Sequence, residues 1–333
     1  MKRLSVIFVL TLLLLGCKSE RNTRHEVTLV GYIPEVDASM PFMRLPYRVE
    51  LDGNVMAVMD LVSDSMHYHF LTYPNLSYLY SAGKRGQGPK EIILSTPFHL
   101  KNNKAYFLDG ARSKLYTYLY LQDKPITYAG EWNLNKTKTT LDFIVVNDSN
   151  VVIQDFNGKN RLIRITKQGE EGLFSIPKVK GTVSLNAELA YNWRSFMTYN
   201  PELEEVAMAT QFGDVIEIYN LNNGDSSCFV GNQGAPKEND GQIEGFCDIK
   251  WVGENIYTLF SGRLRADLIR KSEAGKKEPM GGNIIKVFDR GGNVLEEYEL
   301  DTYINGFTVD ELNNRLIGVT ANLDTPILFF DMP

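Results

Sequence analysis

The chain has 333 residues, of which 43% are hydrophobic and 23% charged, and its formal net charge at pH 7 is -6. This balance suits a globular domain, and the acidic net charge argues against a nucleic-acid-binding surface, which needs an excess of Lys and Arg. We therefore expect no nucleic acid among its partners.

The N-terminus has the layout of a secretory signal. Basic Lys2 and Arg3 precede an apolar run from Leu4 to Leu15, and Gly16 and Cys17 follow. The run is too short to span a bilayer comfortably. Its end resembles the bacterial lipobox, in which the Cys thiol receives diacylglycerol before cleavage. A buried first helix is the alternative, but it would need amphipathic spacing, whereas this run is apolar all round. Residues 1–16 are thus a predicted lipoprotein signal peptide, and Cys17 is the predicted lipidation site.

Residues 17–25 form a predicted polar tether between lipid and domain. Acyl chains on Cys17 would anchor the protein, since each buried methylene contributes about 0.8 kcal/mol. In Bacteroidetes-type lipoproteins an acidic run after the Cys marks export to the cell surface. Here Glu20 is the only acidic residue, among Lys18, Arg21 and Arg24. This pattern favours the periplasmic side of the outer membrane over the cell surface.

From residue 26 onward, short β-type runs alternate with turns rich in Asn, Asp and Gly. The clearest run recurs at a spacing of roughly 46 to 60 residues, which is typical of solenoids and propellers, and the strand-only content favours a propeller. The six copies are Val58–Asp60, Phe107–Asp109, Val152–Asp155, Val206–Thr210, Ile256–Phe260 and Leu316–Thr320.

Each copy is followed by a turn and a second strand rich in aromatic and branched residues. These second strands are His67–Tyr73, Leu115–Leu121, Arg161–Thr166, Val215–Leu221, Ile284–Phe288 and Ile327–Phe330. The sequence therefore predicts an all-β fold for residues 26–333, a six-bladed β-propeller of four-stranded antiparallel blades. A pair of β-sandwiches would place a linker near mid-chain, and no Pro-, Gly- or Ser-rich linker is found there.

The two ends of the chain predict how the ring closes. Pro333 comes just after the third strand of blade 6, which therefore lacks an outermost strand. Glu26–Ile33 has strand composition and no partner in blade 1. We expect this N-terminal strand to add to Pro326–Asp331 of the last blade and to cover an edge that would otherwise invite aggregation.

A short motif links the chain to a known class of propeller. Gly83–Glu91, between blades 1 and 2, resembles the Gly-x-Gly-Pro-x-Glu segment of NHL-type propellers, and Gly231–Pro236 is a degenerate copy between blades 4 and 5. Together with the lipobox, the chain is similar to the TolB-like six-bladed propeller lipoproteins of Bacteroidetes. It differs from ordinary NHL repeats because four inter-blade loops lack the motif and blade 5 carries a long insertion, Ser261–Gly282.

Loops that join second to third strands, and one blade to the next, emerge on one face of a propeller, where ligands usually bind. We call this the rim face. An Arg cluster there can hold a carboxylate or phosphate, whereas a solvated loop is the alternative because acidic residues interleave with the basic ones. The candidate ligand or partner contacts are Lys84, Arg85, Arg112, Trp193, Arg194, Arg263 and Arg265.

Trp193 and the insertion that contains Arg263 and Arg265 each suggest a more specific role. Trp193 precedes the inner strand of blade 4, where it would provide either an aromatic platform for a sugar or ordinary core packing. The insertion in blade 5 has Leu264, Leu268 and Ile269 at helical spacing, which indicates a short amphipathic turn. Long loops of this kind often form lids or docking elements.

Metal and redox chemistry have few candidate residues. His67 and His69 point the same way in one strand, as metal ligands or as packed core residues. Asp60, Asp109 and Asp155 recur at strand ends. They could hold a channel cation, as in sugar-lactonase propellers, or accept N–H bonds in their own turns. Cys228 and Cys247 could pair or remain buried thiols.

The sequence contains no recognisable catalytic, zinc or phosphate-binding motif, and we predict no cofactor. The favoured hypothesis is a non-catalytic binding or scaffold module attached to the membrane through lipidated Cys17. Its expected partner is an envelope protein, a peptide or a glycan. The alternative is a cation-dependent hydrolase or lyase with its site in the propeller channel.

Overall fold

The computed structural model describes residues 27–36, 39–122, 124–134, 142–156, 159–178, 186–237 and 241–333. The predicted signal peptide, Cys17 and the tether lie outside the described residues. The strands form six sheets arranged as the predicted six-bladed propeller. In the described part of the chain, no helix has the length and apolar character needed to cross a membrane.

Blades 1 to 3 are complete four-stranded antiparallel sheets with strands in chain order. Blade 1 contains β2 (Pro46–Asp52), β3 (Val55–Asp60), β4 (Met66–Thr72) and β5 (Tyr78–Lys84). Blade 2 contains β6 (His99–Lys101), β7 (Lys104–Asp109), β8 (Lys114–Leu121) and β9 (Lys124–Asn133). Blade 3 contains β10 (Phe143–Asn147), β11 (Asn150–Gln154), β12 (Leu162–Thr166) and β13 (Gly169–Leu173).

Blades 4 to 6 follow the same order, but the last blade has three strands. Blade 4 contains β14 (Ser195–Asn200), β15 (Glu205–Thr210), β16 (Val215–Asn220) and β17 (Ser226–Val230). Blade 5 contains β18 (Ile243–Val252), β19 (Asn255–Leu264), β20 (Gly282–Phe288) and β21 (Val294–Ile304). Blade 6 contains β22 (Gly306–Asp310), β23 (Arg315–Val319) and β24 (Ile327–Asp331).

The hydrophobic core is divided into layers between neighbouring blades. Second strands such as β3 and β15 are buried along their whole length because other blades cover both of their faces. The six apolar clusters each fill one junction between adjacent blades. One of them packs Val49 and Val58 of blade 1 against Ile317 and Phe329 of blade 6, which closes the ring by side-chain contact.

The N-terminal segment contributes to the closure, as predicted, but it contacts two blades. Tyr32 pairs with the last blade: its N–H donates to the Phe329 carbonyl at 2.9 Å, and the Phe329 N–H donates back at 3.0 Å. The regular strand β1 (Val27–Leu29), however, lies parallel to β21 on the outside of blade 5. The predicted pairing with Pro326–Asp331 is therefore confirmed at Tyr32. For Val27–Leu29 the prediction is wrong, because this strand pairs with β21 of blade 5.

Gly31 explains why the segment changes blades. Its N–H donates to Asp301 Oδ1 at 3.0 Å, which ties it to blade 5. A Cβ at this position would lie 2.8 Å from the Phe330 ring of blade 6, closer than such contacts allow. The chain can therefore pass from one blade to the next only because residue 31 has no side chain.

The structure also shows the conformation of the insertion in blade 5 and the state of the two cysteines. The helical spacing in the insertion is confirmed by α2 (Arg265–Glu273), which has no buried side chain. A second helix, α1 (Asn186–Asn192), precedes blade 4 and was not predicted. Cys228 and Cys247 are both free, so the two thiols do not form a disulfide.

Candidate ligand-binding site

The Gly83–Glu91 motif folds into a loop that is held together by Glu91. One carboxylate oxygen accepts the Gly88 N–H at 2.7 Å, and the other lies 2.7 Å from Lys84 Nζ. Those bonds, the Lys84 contact first, lower the pKa of Glu91. A Cβ at Gly86 would lie 2.1 Å from the same carboxylate, so the motif needs glycine to let Glu91 approach.

Three of the predicted contact residues form bonds to this loop or to the loop after β3. Besides the ion pair of Lys84, Arg112 donates to the Glu91 carbonyl at 2.8 Å and to the Gln87 carbonyl at 2.5 Å. The exposed Arg85 donates to the Ser63 carbonyl at 3.0 Å. These cations stabilise the junction of blades 1 and 2, and they do not line the cavity described next.

A cavity of about 400 Å³ opens at the rim-face end of the central channel. We call it the mouth pocket. Four blades contribute to its wall, because inner strands begin and second strands end at this level. Its lining includes Tyr47, Arg194, Phe196, Gln211, Phe212, Glu244, Phe246, Cys247, Arg263, Arg265, Leu268, Met280 and Asn305. The structure therefore brings together three predicted residues, Arg194, Arg263 and Arg265.

Arg263 is a structural residue of the insertion. Its Nη2 lies 2.6 Å from Glu244 Oε2, and its guanidinium also donates to the carbonyls of Pro279 and Gly281 at 2.8 and 2.9 Å. These bonds fasten the far end of the insertion to the start of blade 5. The charge of Arg263 is balanced by Glu244.

Arg194 and Arg265 occupy a different environment. Both guanidinium groups stack on the buried Phe212 ring, with Cζ 4.1 and 4.5 Å from its centroid, and Arg194 also lies over Tyr191. Arg265 donates to the neutral side chain of Gln242, whereas the buried Arg194 Nε has no hydrogen-bond partner within the described ranges. Burial, with the Arg265 charge adding to it, lowers the pKa of Arg194.

Trp193 does not reach the pocket. It is 0% exposed, and its ring lies 6.0 Å from the Arg161 guanidinium in the layer between blades 3 and 4. The core-packing interpretation is therefore correct and the sugar platform is not. Arg194, the next residue, lies in the mouth pocket.

Buried polar groups occupy the channel below the mouth pocket. Arg48 is 2% exposed, with Nε 3.4 Å from Asp248 Oδ1 and Nη1 donating to the Asn305 carbonyl at 3.2 Å. At the opposite end, a second cavity of about 340 Å³ contains the Lys250–Glu50 ion pair, whose Nζ and Oε1 are 2.5 Å apart. Ion pairs thus separate the mouth pocket from the far end of the channel.

The repeated Asp residues accept backbone N–H groups, which was one of the two roles predicted for them. Asp60 accepts the N–H groups of Arg44 and Leu45 at 3.0 and 2.9 Å, and Asp109 accepts those of Ile93 and Leu94 at 3.2 and 3.3 Å. Each carboxylate thereby binds the segment that leads into its blade. Asp155 binds the N–H of Asn160 at 3.0 Å within its own loop.

The two neighbouring histidines pack in blade 1. His67 and His69 are 2% and 3% exposed, and burial lowers the pKa of both, to about 4 for His69. His69 Nδ1 lies 2.7 Å from Ser81 Oγ. Across the described ranges, no group of three or more His, Cys, Asp or Glu side chains is arranged to hold a metal ion.

Sequence reasoning missed most of the other residues that line the mouth pocket. Tyr47, Glu244 and Asn305 lie where the inner strands of blades 1, 5 and 6 begin. This is the position that singled out Arg194 in blade 4. Applying the same criterion to every repeat would have found them.

The blades and their channel define the molecule as a six-bladed β-propeller. Its sequence belongs to the TolB-like family, described as TolB-like 6-blade propeller-like, whose model matches residues 35–312. The resemblance inferred from the Gly-Pro motif and the lipobox is thereby confirmed at the level of the family. No curated protein gives a sequence match.

Solved structures share the fold at low sequence identity. A protein from Bacteroides fragilis described as exported is 12% identical, with 93% of this chain and 96% of that chain covered and a TM-score of 0.58. A DUF4221 family member from Bacteroides vulgatus is 8% identical, with 92% and 98% covered and a TM-score of 0.59. Regucalcin from Agrobacterium tumefaciens, a calcium-binding protein, is 9% identical, with 91% and 94% covered and a TM-score of 0.54. These likenesses concern the fold alone.

Proposed function

We propose that this propeller is a membrane-tethered, extracytoplasmic binding module that holds its ligand in the mouth pocket without transforming it. The ligand is part of an envelope protein, or it is a peptide or a glycan. The observation that carries the proposal is the mouth pocket itself, a cavity of about 400 Å³ at the end of the channel. That volume is within the usual range for small-ligand sites, and such sites are commonly formed where loops converge.

The chemistry of the lining supports binding rather than catalysis. Cys247 is its one thiol, and burial raises the pKa of that thiol, so it stays protonated and weakly nucleophilic. Among the described histidines, His67 and His69 are buried in blade 1 and His99 lines the opposite cavity. The pocket therefore offers hydrogen bonds, charge and aromatic surface, but no paired nucleophile and base.

Blocking the pocket tests the proposal. Met280 is 48% exposed and lines the opening, so Met280→Trp would fill the pocket without changing its charge. We expect this variant of the full chain to lose at least about 90% of ligand capture, because a volume the size of an indole excludes an occupant. The measurement is photo-crosslinking of the full chain to native envelopes, with identification of the adducts by mass spectrometry.

The matched control is Leu312→Trp, on the opposite face, where Leu312 is 97% exposed. The control should yield the same adducts as the unmodified protein. An adduct that persists equally in Met280→Trp would place the binding site elsewhere, and chemical conversion of the captured ligand would contradict a purely binding role.

The proposed location, tethered to a membrane outside the cytoplasm, can be tested at the predicted lipidation site. An exported protein among the structures with this fold supports an extracytoplasmic location, and the polar residues after Cys17 favour the periplasmic side of the outer membrane. We expect Cys17→Ser to move the protein from the membrane pellet to the soluble fraction and to abolish labelling by radioactive palmitate, because the acylated thiol is lost. A variant that stays in the pellet would contradict the anchor.

The direction of β1 suggests how the propeller is presented. β1 runs parallel to β21, and β21 ends at the rim face, so Val27, where β1 begins, lies towards the opposite face. The predicted tether joins the propeller at that end of β1. We propose that the mouth pocket points away from the membrane.

A further inference from the structure

Two positive charges in the mouth pocket share one aromatic ring, and neither has an acidic partner among the residues that the structure describes. The Cζ atoms of Arg194 and Arg265 lie 4.1 and 4.5 Å from the centroid of Phe212, and the charge of Arg265 is close enough to help lower the pKa of Arg194. Cation–π contacts hold each group in position, but they do not neutralise charge. Both residues are half-buried, which weakens screening of their mutual repulsion by water.

The two described carboxylates that line the pocket, those of Glu244 and Glu278, are already paired. Glu244 pairs with Arg263 at 2.6 Å and also accepts the Ser261 hydroxyl at 2.8 Å. Glu278 pairs with Lys271 at 3.2 Å. Among the described residues, Arg194 and Arg265 thus remain as two guanidinium groups without a carboxylate.

We infer that the mouth pocket recognises an oxyanion, a carboxylate or a phosphate, carried on an apolar or aromatic body. The inference rests on the proposed binding function and adds the chemical class of the ligand. A guanidinium presents parallel N–H groups that match two oxygens of such an anion, and the pocket lining contains both Arg194 and Arg265. The buried Arg194 Nε has no hydrogen-bond partner in the described part of the chain, so it can donate to the anion.

The rest of the wall is suited to the body of such a ligand. Tyr47, Phe196 and Phe246 provide aromatic surface from three blades, and Leu268 of α2 adds an aliphatic side chain. Apolar surface of this kind gains free energy when a ring replaces water, whereas a fully hydrated anion gains nothing from it. The pocket should therefore prefer an aryl or alkyl oxyanion to the free inorganic ion.

A series of small probes tests this chemistry on the full chain. Phenyl phosphate and benzoate carry the anion on a ring, inorganic phosphate carries it alone, benzyl alcohol is neutral and benzylamine is cationic. We expect phenyl phosphate or benzoate to bind with a dissociation constant on the order of millimolar, as befits so few atoms. Inorganic phosphate should bind more weakly, and the alcohol and amine should not bind. The measurement is isothermal titration calorimetry, and comparison of the two ring probes identifies the preferred anion.

Charge variants test the residues. Arg265→Gln and Arg194→Gln should each weaken binding of the preferred probe about fivefold to tenfold, since a charge-assisted bidentate bond is lost. Arg265→Lys should recover only part of that loss because it keeps the charge without the fork. The matched control is Lys84→Gln, which removes one exposed rim-face cation outside the pocket and should leave binding unchanged.

The inference would be overturned if no aryl anion binds the unmodified protein, if benzyl alcohol binds as well as benzoate, or if Lys84→Gln weakens binding as much as the pocket variants. A ligand that Met280→Trp excludes but that both charge variants still bind would retain the binding function and reject the anion. Unfolding midpoints of the variants, compared with that of the unmodified protein, separate loss of binding from loss of fold.

Discussion

Glu217→Gln is expected to lower the free energy of unfolding by about 3–5 kcal/mol, because it leaves the Arg161 guanidinium buried without a counter-charge. The two side chains are 0% and 2% exposed and join blades 4 and 3. Arg161 Nε lies 2.9 Å from Glu217 Oε1, and Nη2 lies 2.5 Å from Oε2, which is the bidentate arrangement. Ser195 and Tyr219 complete the network through hydrogen bonds to Arg161 and Glu217.

Two neighbouring strands of blade 3 provide a matched control. Arg164 and Glu171 form a second Arg–Glu pair, at 3.1 Å, but Glu171 is 61% exposed. Water competes for this pair, so Glu171→Gln should cost at most about 1 kcal/mol. Urea unfolding of both variants gives the comparison. Equal midpoints for the two would mean that burial does not determine the strength of this ion pair.

A double replacement separates pairing from burial. When Arg161→Met and Glu217→Leu are combined, no buried charge is left, and much of the stability lost in Glu217→Gln should return. The hydroxyl groups of Ser195 and Tyr219 would then lack charged partners, so recovery should be incomplete. A double variant less stable than Glu217→Gln would contradict this explanation.

The sequence predicts the blades well because burial on both faces leaves a clear pattern. β3 and β15 read as continuous apolar runs since neighbouring blades cover them on both sides. Their recurrence determines the number of blades, and turns rich in Asn, Asp and Gly mark where strands end. The terminal segments leave no such pattern. Val27–Leu29 has strand composition that suits either exposed edge, and the choice depends on the close contact of Gly31 with Phe330.

Charge in the sequence identifies candidate contacts but not whether they are free. Lys84 and Arg263 both belong to basic stretches, yet each is paired with a glutamate, Glu91 and Glu244, that only the folding of the loops brings into contact. Arg194 and Arg265 differ because both pack on Phe212, and the arrangement of blades 4 and 5 is what brings Arg265 to that ring. The site therefore depends on long-range packing, whereas the fold depends on local repeats.

Ring closure should depend strongly on Phe329. This residue is 4% exposed in the last strand and belongs to the apolar layer that joins blade 6 to blade 1. Its ring makes edge contacts with Tyr73 of blade 1 and Tyr32 of the N-terminal segment, at centroid distances of 6.1 and 5.8 Å. Phe329→Ala should therefore lower the free energy of unfolding by about 3–5 kcal/mol through lost burial and the cavity left behind.

Graded controls show whether the closing interface is responsible. Leu312→Ala, at a 97% exposed position in the same blade, should change the free energy of unfolding by less than about 0.5 kcal/mol. Tyr32→Ala should fall between the two, because Tyr32 is 40% exposed and its main-chain bonds to Phe329 do not need the side chain. Urea midpoints measured by intrinsic fluorescence provide the order. If Tyr32→Ala proved as damaging as Phe329→Ala, the N-terminal segment rather than the contact between blades 6 and 1 would be the main closure of the ring.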